Sequence, residues 1–332
     1  MRIGFFAPWA LALALLLPGG AAAQGKEVTF AHLDMPVPLR TVMESGELEK
    51  ATGYKINWRM MGGGGDVIKA IVAGEVQIGE ASSSSISAAA SLNQEIRLFW
   101  ILDEIADAEA LIARKGSNIN SVKDLKGKTV GAPFASTAHY HLLTVLKLES
   151  VEAKDVKIVN LRPREISLAW DRGEIDAAFI WDPVLSRLKT SGKTIISSSA
   201  IGKKGFPTFD GLVVHPKWAA ENYTFLVSLV KALMKADDDY RKNQAKWTVQ
   251  SEPVQAVARR TRFEAKDVAA VMKLYRFPNA SEQVSAAWLG GGAAKAMAQT
   301  AAFLKEQGRI PEVKSDYRYY VTDVYVKRAM EP

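Results

Sequence analysis

From Val28 to His215 the chain alternates short apolar runs with amphipathic segments, and few folds other than an open α/β architecture accommodate that rhythm. Ten runs have the length and composition of strands: Val28–Leu33, Ile56–Met60, Val76–Ala81, Arg97–Leu102, Ala110–Arg114, Thr129–Pro133, Lys157–Leu161, Ala177–Trp181, Thr194–Ser197 and Leu212–His215. Helical periodicity fills most of the intervals, as in Thr137–Lys147 and Ile166–Arg172. Such alternation predicts βα units and mostly parallel sheets. Beyond about Lys217 the strands stop. The remainder reads as helices, including Phe225–Arg241, Pro253–Arg260 and Ala286–Gln307, the last interruptible at Gly290–Gly292. No Pro-, Ser- or Gly-rich linker separates two halves, so two domains would have to be interwoven.

One unit repeats. Gly74-Glu75-Val76-Gln77-Ile78 leads from a helix into a strand that delivers Glu80 and Ser82–Ser85 at its carboxyl end. Almost a hundred residues later Gly173-Glu174-Ile175-Asp176-Ala177 leads into Trp181-Asp182-Pro183. A glycine closes each helix, and open α/β sheets bind ligands just beyond strand carboxyl ends. Two such units would face each other across a cleft.

The N-terminus reads as an export signal over residues 1–23. Arg2 is followed by an apolar run from Ile3 to Leu17, a Pro18-Gly19-Gly20 break and Ala21-Ala22-Ala23 before Gln24. The run is too short for a comfortable membrane span. With no cysteine in the chain, a lipid-anchored lipoprotein, thiol catalysis and zinc–thiolate sites are excluded. These features imply a diffusible protein of the periplasm without a membrane anchor. A charged fraction of 24% and an apolar fraction of 48% suit a soluble globular chain. The formal charge of +7 comes from scattered basic residues without interleaved aromatics, so no nucleic-acid groove is implied.

Two stretches have the composition of anion-binding helix starts. Ser82–Ser85 and Ser136-Thr137 each precede a helical run, where free N–H groups and the helix dipole favour an oxyanion. The alternative is simple N-capping, worth about 1 kcal/mol apiece. Gly62–Gly65 before Asp66 lacks both the P-loop lysine and the spacing of a dinucleotide fingerprint, and reads as turn chemistry or close backbone approach. His139 and His141 would point about 200° apart on a helix and cannot share one metal. No His-Glu-x-x-His or Gly-x-Ser-x-Gly pattern occurs, so neither a metal nor a cofactor is implied, nor is an enzyme demanded. Trp181, Asp182, Phe209 and Asp210 supply aromatic faces and carboxylates of the kind that recognise an ammonium group.

At these residues the chain resembles the periplasmic taurine-binding proteins of ABC importers, part of a wider sulfonate, nitrate and thiamine-precursor binding family. The resemblance runs from about Val28 to Tyr320. It is carried by Ala73-Gly74-Glu75-Val76-Gln77-Ile78-Gly79, Phe134-Ala135-Ser136-Thr137-Ala138-His139-Tyr140, Ile158-Val159-Asn160-Leu161, Phe303-Leu304-Lys305-Glu306-Gln307-Gly308 and Asp316-Tyr317-x-x-Tyr320-Val321-Thr322. It implies a type II periplasmic binding-protein fold: two α/β domains, a ligand cleft, two crossover strands and a helical C-terminal region. Residues 25–106 plus 212–332 would form domain one and 107–211 domain two. By the same resemblance Ser83, Ser84, Ser136 and Thr137 hold a sulfonate, His139 lies beside them, Trp181 lines the cleft, and Asp210 takes an ammonium, with Glu109 as a second acid. His32 stands where the family usually has Tyr, Glu80 where it has Asn, and Ala138 where it has Thr. Asp66, Asp103 and Asp182 add acids near the expected cleft and favour a ligand with a cationic end. The implied function is capture of a small zwitterion such as taurine, by a monomer, for an inner-membrane ABC permease. Other sulfonates, sulfate esters or cationic amines are alternative ligands, and an enzyme similar to the thiamine-pyrimidine synthases is the alternative of another class.

Overall fold

The structure, a computed structural model, describes residues 26–332. The expected signal sequence, residues 1–23, lies outside the described residues. Ten strands form two five-stranded sheets. The first runs in the order β2 (Lys55–Met60), β1 (Glu27–His32), β3 (Ile78–Ser82), β10 (Phe209–Val214), β4 (Arg97–Glu104). The second runs β7 (Lys157–Asn160), β6 (Thr129–Ala132), β8 (Ala177–Trp181), β5 (Glu109–Arg114), β9 (Gly192–Ser197). Each expected apolar run is one of these strands.

The sheets are mixed, not mostly parallel as the alternation predicted. β1 pairs in parallel with β2 and β3, but β10 runs antiparallel to β3 and β4. In the second sheet β6 pairs in parallel with β7 and β8, while β5 is antiparallel to β8 and β9. The reason lies in the crossovers. The chain leaves the first sheet at Glu104, turns through Ala106–Ala108 and begins β5 at Glu109. It returns from Ser197 through the short helix Ser198–Gly202 to β10. A strand entered from the junction must run away from it, whereas β3 and β8 run toward it.

The sequence echo is a structural repeat. Gly74 (φ 78°) and Gly173 (φ 70°) both adopt the left-handed conformation that glycine tolerates best. Their N–H groups bond to Ile71 O and Trp170 O, and the next N–H reaches back to Ala70 O and Ala169 O. Both close their helices with the same pair of bonds. Gln77 then exchanges bonds with Thr29, backbone N–H to Thr29 O and side chain from Thr29 N, as Asp176 does with Thr129. One βα plan therefore occurs twice, once in each sheet.

Helices after β10 cover the first lobe. Helix Gly292–Glu306 packs along helix Ser83–Ser91. The expected helix over 286–307 is shortened by its glycines: a Cβ at Gly292 would lie 1.9 Å from Ala287 O, so the chain turns before that residue. Tyr317 is fully buried with its hydroxyl 2.7 Å from Ser91 Oγ, and Thr322 N bonds Leu98 O. The Asp-Tyr-x-x-Tyr-Val-Thr stretch thus fastens the C-terminus to the first sheet. Phe303 packs against both His139 and Tyr140 of the second lobe, with ring centroids 5.4 and 5.3 Å apart.

Candidate functional site

The repeat brings the chemistry to one place. β3 ends at Ser82 and β8 at Trp181, each opening into a helix, while β10 and β5 begin beside them. Asp210 is in register with Ser82, and Glu109 with Trp181. The two acids therefore occupy equivalent places in the two lobes. Phe209 N donates to Ser83 Oγ at 3.4 Å, and Thr137 Oγ1 donates to Glu109 Oε1 at 2.6 Å. Ser83 and Ser84 form the first turn of helix Ser83–Ser91, and Thr137 that of helix Thr137–Leu148. All five side chains are buried. Ser84 Oγ and Glu109 Oε2 nevertheless have no hydrogen-bond partner. Such atoms cost about 1–3 kcal/mol each unless a guest completes them.

Electrostatics single out the acids. Burial pushes Glu109 up to about 8, against the opposing Thr137 bond and with the Asp210 charge adding to it. Asp210 is pushed up to about 7, by burial and then by the charge of Glu80. Asp103, in register with Asp210 across β4, is fully buried with both carboxylate oxygens unpartnered. Burial first, then Asp210, Glu80 and Asp237, raise it well above the usual carboxyl value. A desolvated carboxyl resists ionisation until a positive charge arrives.

Three features escaped sequence reasoning. Tyr275 is brought in by a segment whose Arg276 exchanges backbone bonds with Glu104 and whose Leu274 O accepts from Asp107 N. Its hydroxyl is held well above its usual value by burial and then by Asp103, Asp210, Glu109 and Asp182. Next, Arg40 and Glu80 are both fully buried and form a two-pronged ion pair at 2.5 and 2.9 Å. Glu80 is thus already engaged, and Arg40, also bonded to Leu33 O and Met35 O, offers no free charge to a ligand. Finally, His141 lies buried between Ser198 Oγ (2.7 Å from Nδ1) and Phe206 O (2.9 Å from Nε2). Glu80 had a sequence signal at the carboxyl end of the repeated strand and His141 one on the helix that starts at Thr137, whereas Arg40 and Tyr275 had none.

The other sequence-derived residues divide. Ser136 caps its helix, accepting from His139 N and donating to Pro133 O at 2.6 Å, so its hydroxyl proton is committed inward. His139 is stacked on Phe134 at 4.2 Å with Phe303 against its edge. Burial, then Arg309, lowers it to about 4, so the ring is neutral and brings no cation. His32 is buried at the end of β1, with Nδ1 3.2 Å from Leu33 O, and is lowered by burial and by Arg40. Trp181 is half-buried opposite Glu109. Asp182 is buried, accepting from Ser186 N through Oδ1 and leaving Oδ2 unpartnered. Asp66 is exposed beside Lys69. Of the glycine run ahead of it, Gly64 is the one that packs closely: a Cβ there would meet Ala81 Cα and Ser85 Oγ at 3.0 Å. Among the described residues no group of three or more His, Asp or Glu is arranged to hold a metal ion.

Comparison with known proteins places this architecture. The chain is 34% identical to the taurine-binding periplasmic protein of Escherichia coli K12 over 305 residues, which cover 92% of this chain and 94% of that one. The periplasmic aliphatic sulphonate binding protein SsuA from Escherichia coli superposes with a TM-score of 0.73 at 19% identity, over 87% of this chain and 94% of the other. The fold is therefore that of the periplasmic binding proteins, as the resemblance implied. The same fold also carries catalysis: the desulfurization enzyme DSZB aligns with a TM-score of 0.67 at 14% identity, over 92% of this chain and 99% of that one. The family model described as "NMT1/THI5 like" matches residues 50–246, and with the relative from Escherichia coli it establishes that the chain belongs to the NMT1/THI5-like family.

Proposed function

We propose that this protein is a periplasmic receptor that captures taurine or a related small amino-sulfonate between its two lobes and delivers it to an inner-membrane ABC permease. One observation carries the reading: a buried pair of repeat-related acids, Glu109 and Asp210, lies against two helix starts that present Ser83, Ser84 and Thr137. The helix starts offer N–H groups and the Ser83 and Ser84 hydroxyls to a sulfonate, while the acids, Glu109 held in place by Thr137, take the ammonium. The name of the Escherichia coli relative agrees with both ends of such a ligand.

In this reading residues 1–23 direct export and are removed, and the mature chain works as a monomer without a membrane anchor. No helix among the described residues is long and apolar enough to cross a membrane. Residues 25–106 with 212–332 act as one closing unit and 107–211 as the other. Closure follows ligand because the guest bonds to groups from both units and so binds the closed form better. An enzymatic role is less favoured by the cleft: the His139 ring is neutral and packed, and His141 spends both nitrogens on Ser198 and Phe206.

A thermal-shift screen of taurine, hypotaurine, alkanesulfonates, nitrate and simple amines tests the reading, since a bound ligand raises Tm by mass action. Amino-sulfonates are expected to give the largest shifts. Asp210→Asn should lower taurine affinity roughly tenfold or more by calorimetry while leaving the unliganded fold intact. A response confined to inorganic anions would defeat the proposal.

A further inference from the structure

Four buried carboxylates act by their charge on Tyr275: Asp103 and Asp210 from the first sheet, Glu109 from the second and Asp182 just beyond the end of β8. Strand register sets Asp103 directly beside Asp210. Four of their oxygens are buried without any hydrogen-bond partner: both of Asp103, Oε2 of Glu109 and Oδ2 of Asp182. Among the described residues no cation pairs with them. Arg40 is saturated by Glu80 and two carbonyls, and His32 and His139 are held toward their neutral forms by burial. An ammonium group has three N–H donors, fewer than the orphaned oxygens. A guanidinium has five, spread in a planar fork that matches paired carboxylates.

Building on the zwitterion reading above, we propose that the cationic end of this cleft is built for a guanidinium, so that the preferred ligand is a guanidino-alkanesulfonate and simple taurine is the weaker guest. Asp103 is the specificity-determining residue. It is the register partner of Asp210 on the neighbouring strand, so a head group with donors on more than one nitrogen can engage both carboxylates at once. Asp182 and Glu109 close the same head from the second lobe.

The test compares 2-guanidinoethanesulfonate with taurine, which share the sulfonate and differ only in the cationic head. Calorimetry on the full mature chain should give the guanidino compound at least tenfold tighter binding. Asp103→Asn, nearly isosteric, should collapse that ratio toward one by weakening the guanidino compound more than taurine. Asp182→Asn should act in the same direction and guards against a folding defect at position 103, with far-UV circular dichroism and melting checked for both variants. A ratio at or below one in the wild-type protein, or one unchanged in both variants, overturns the guanidinium assignment and leaves the amino-sulfonate reading standing. Binding of neither sulfonate overturns both.

Discussion

Glu109 and Asp210 decide how the cleft responds to protons. Their carboxyls are pushed up to about 8 and about 7, chiefly by burial. At pH 6 both hold a proton and present no charge to an ammonium; above pH 8 both are ionised for most of the time. Affinity for an amino-sulfonate is therefore expected to rise between pH 6 and pH 8.5, with protons released as the ligand binds. Titration calorimetry in buffers of different ionisation enthalpy measures that release directly. Glu109→Gln keeps a partner for Thr137 but removes the charge, and should flatten the upper part of the profile. An affinity that is flat across this range, with no proton release, would show that neither acid meets the ligand's cation. Ser136 and Ser84 show how context divides chemically equal hydroxyls: the first is consumed by capping, the second is left unpartnered.

Among the elements, the loop after β1 is the one tied down by charge. Leu33 N donates to Glu80 Oε2 at 2.7 Å, and Arg40 bridges Glu80 to the Leu33 and Met35 carbonyls. This network joins β3 and helix Leu39–Ser45 to the segment that follows β1, and the charge of Glu80 acts on Asp210 and Asp103. Removing one member leaves a buried charge unpaired, which typically costs about 3–5 kcal/mol. Glu80→Leu is thus expected to lower urea-unfolding stability by that order, and adding Arg40→Met should restore much of it. An equal loss in the double variant would mean that the pair is not what the region depends on. Strand positions were readable because a buried strand needs an uninterrupted apolar run, and all ten runs from Val28 to His215 are strands. Strand direction was not readable, since apolarity is the same whichever way β5 and β10 run. The repeat around Gly74 and Gly173 was legible in its residues, but its main consequence, the equivalence of Glu109 and Asp210, required the register. Tyr275 gave no signal at all, because a tyrosine between Leu274 and Arg276 looks like any half-buried loop aromatic until the backbone pairs its neighbour Arg276 with Glu104.

For the molecule as a whole, the unliganded protein carries acids whose stability contribution has the opposite sign to that of ordinary surface carboxylates. Glu109 and Asp210, together with Asp103 and Asp237, are raised in the folded state by burial. Between the unfolded carboxyl values near 4 and the folded values of about 7 for Asp210 and about 8 for Glu109, the folded chain holds more protons than the unfolded chain, and Asp103 and Asp237 act in the same direction. Stability must fall as pH rises through that interval. His139 and His141 oppose this at the acid end: burial lowers both to about 4, so below about 6.5 the unfolded state takes up their protons and stability falls as pH drops. The informative window is pH 6.5 to 8.5: the unfolded histidines are half protonated at its lower edge and mostly neutral above about pH 7.5, where the acids act alone. Across it the Tm of the unliganded protein should drop by several degrees. A saturating amino-sulfonate supplies the positive charge that the protons had provided, so the liganded Tm should hold level or rise. The gap between the two melting curves should therefore widen with pH, in step with the affinity profile. Differential scanning calorimetry at matched ionic strength checks both curves at once. An unliganded Tm that is constant or increasing from pH 6.5 to 8.5 would mean that the acids are already compensated within the protein, and a cleft so compensated has no need of a cationic guest.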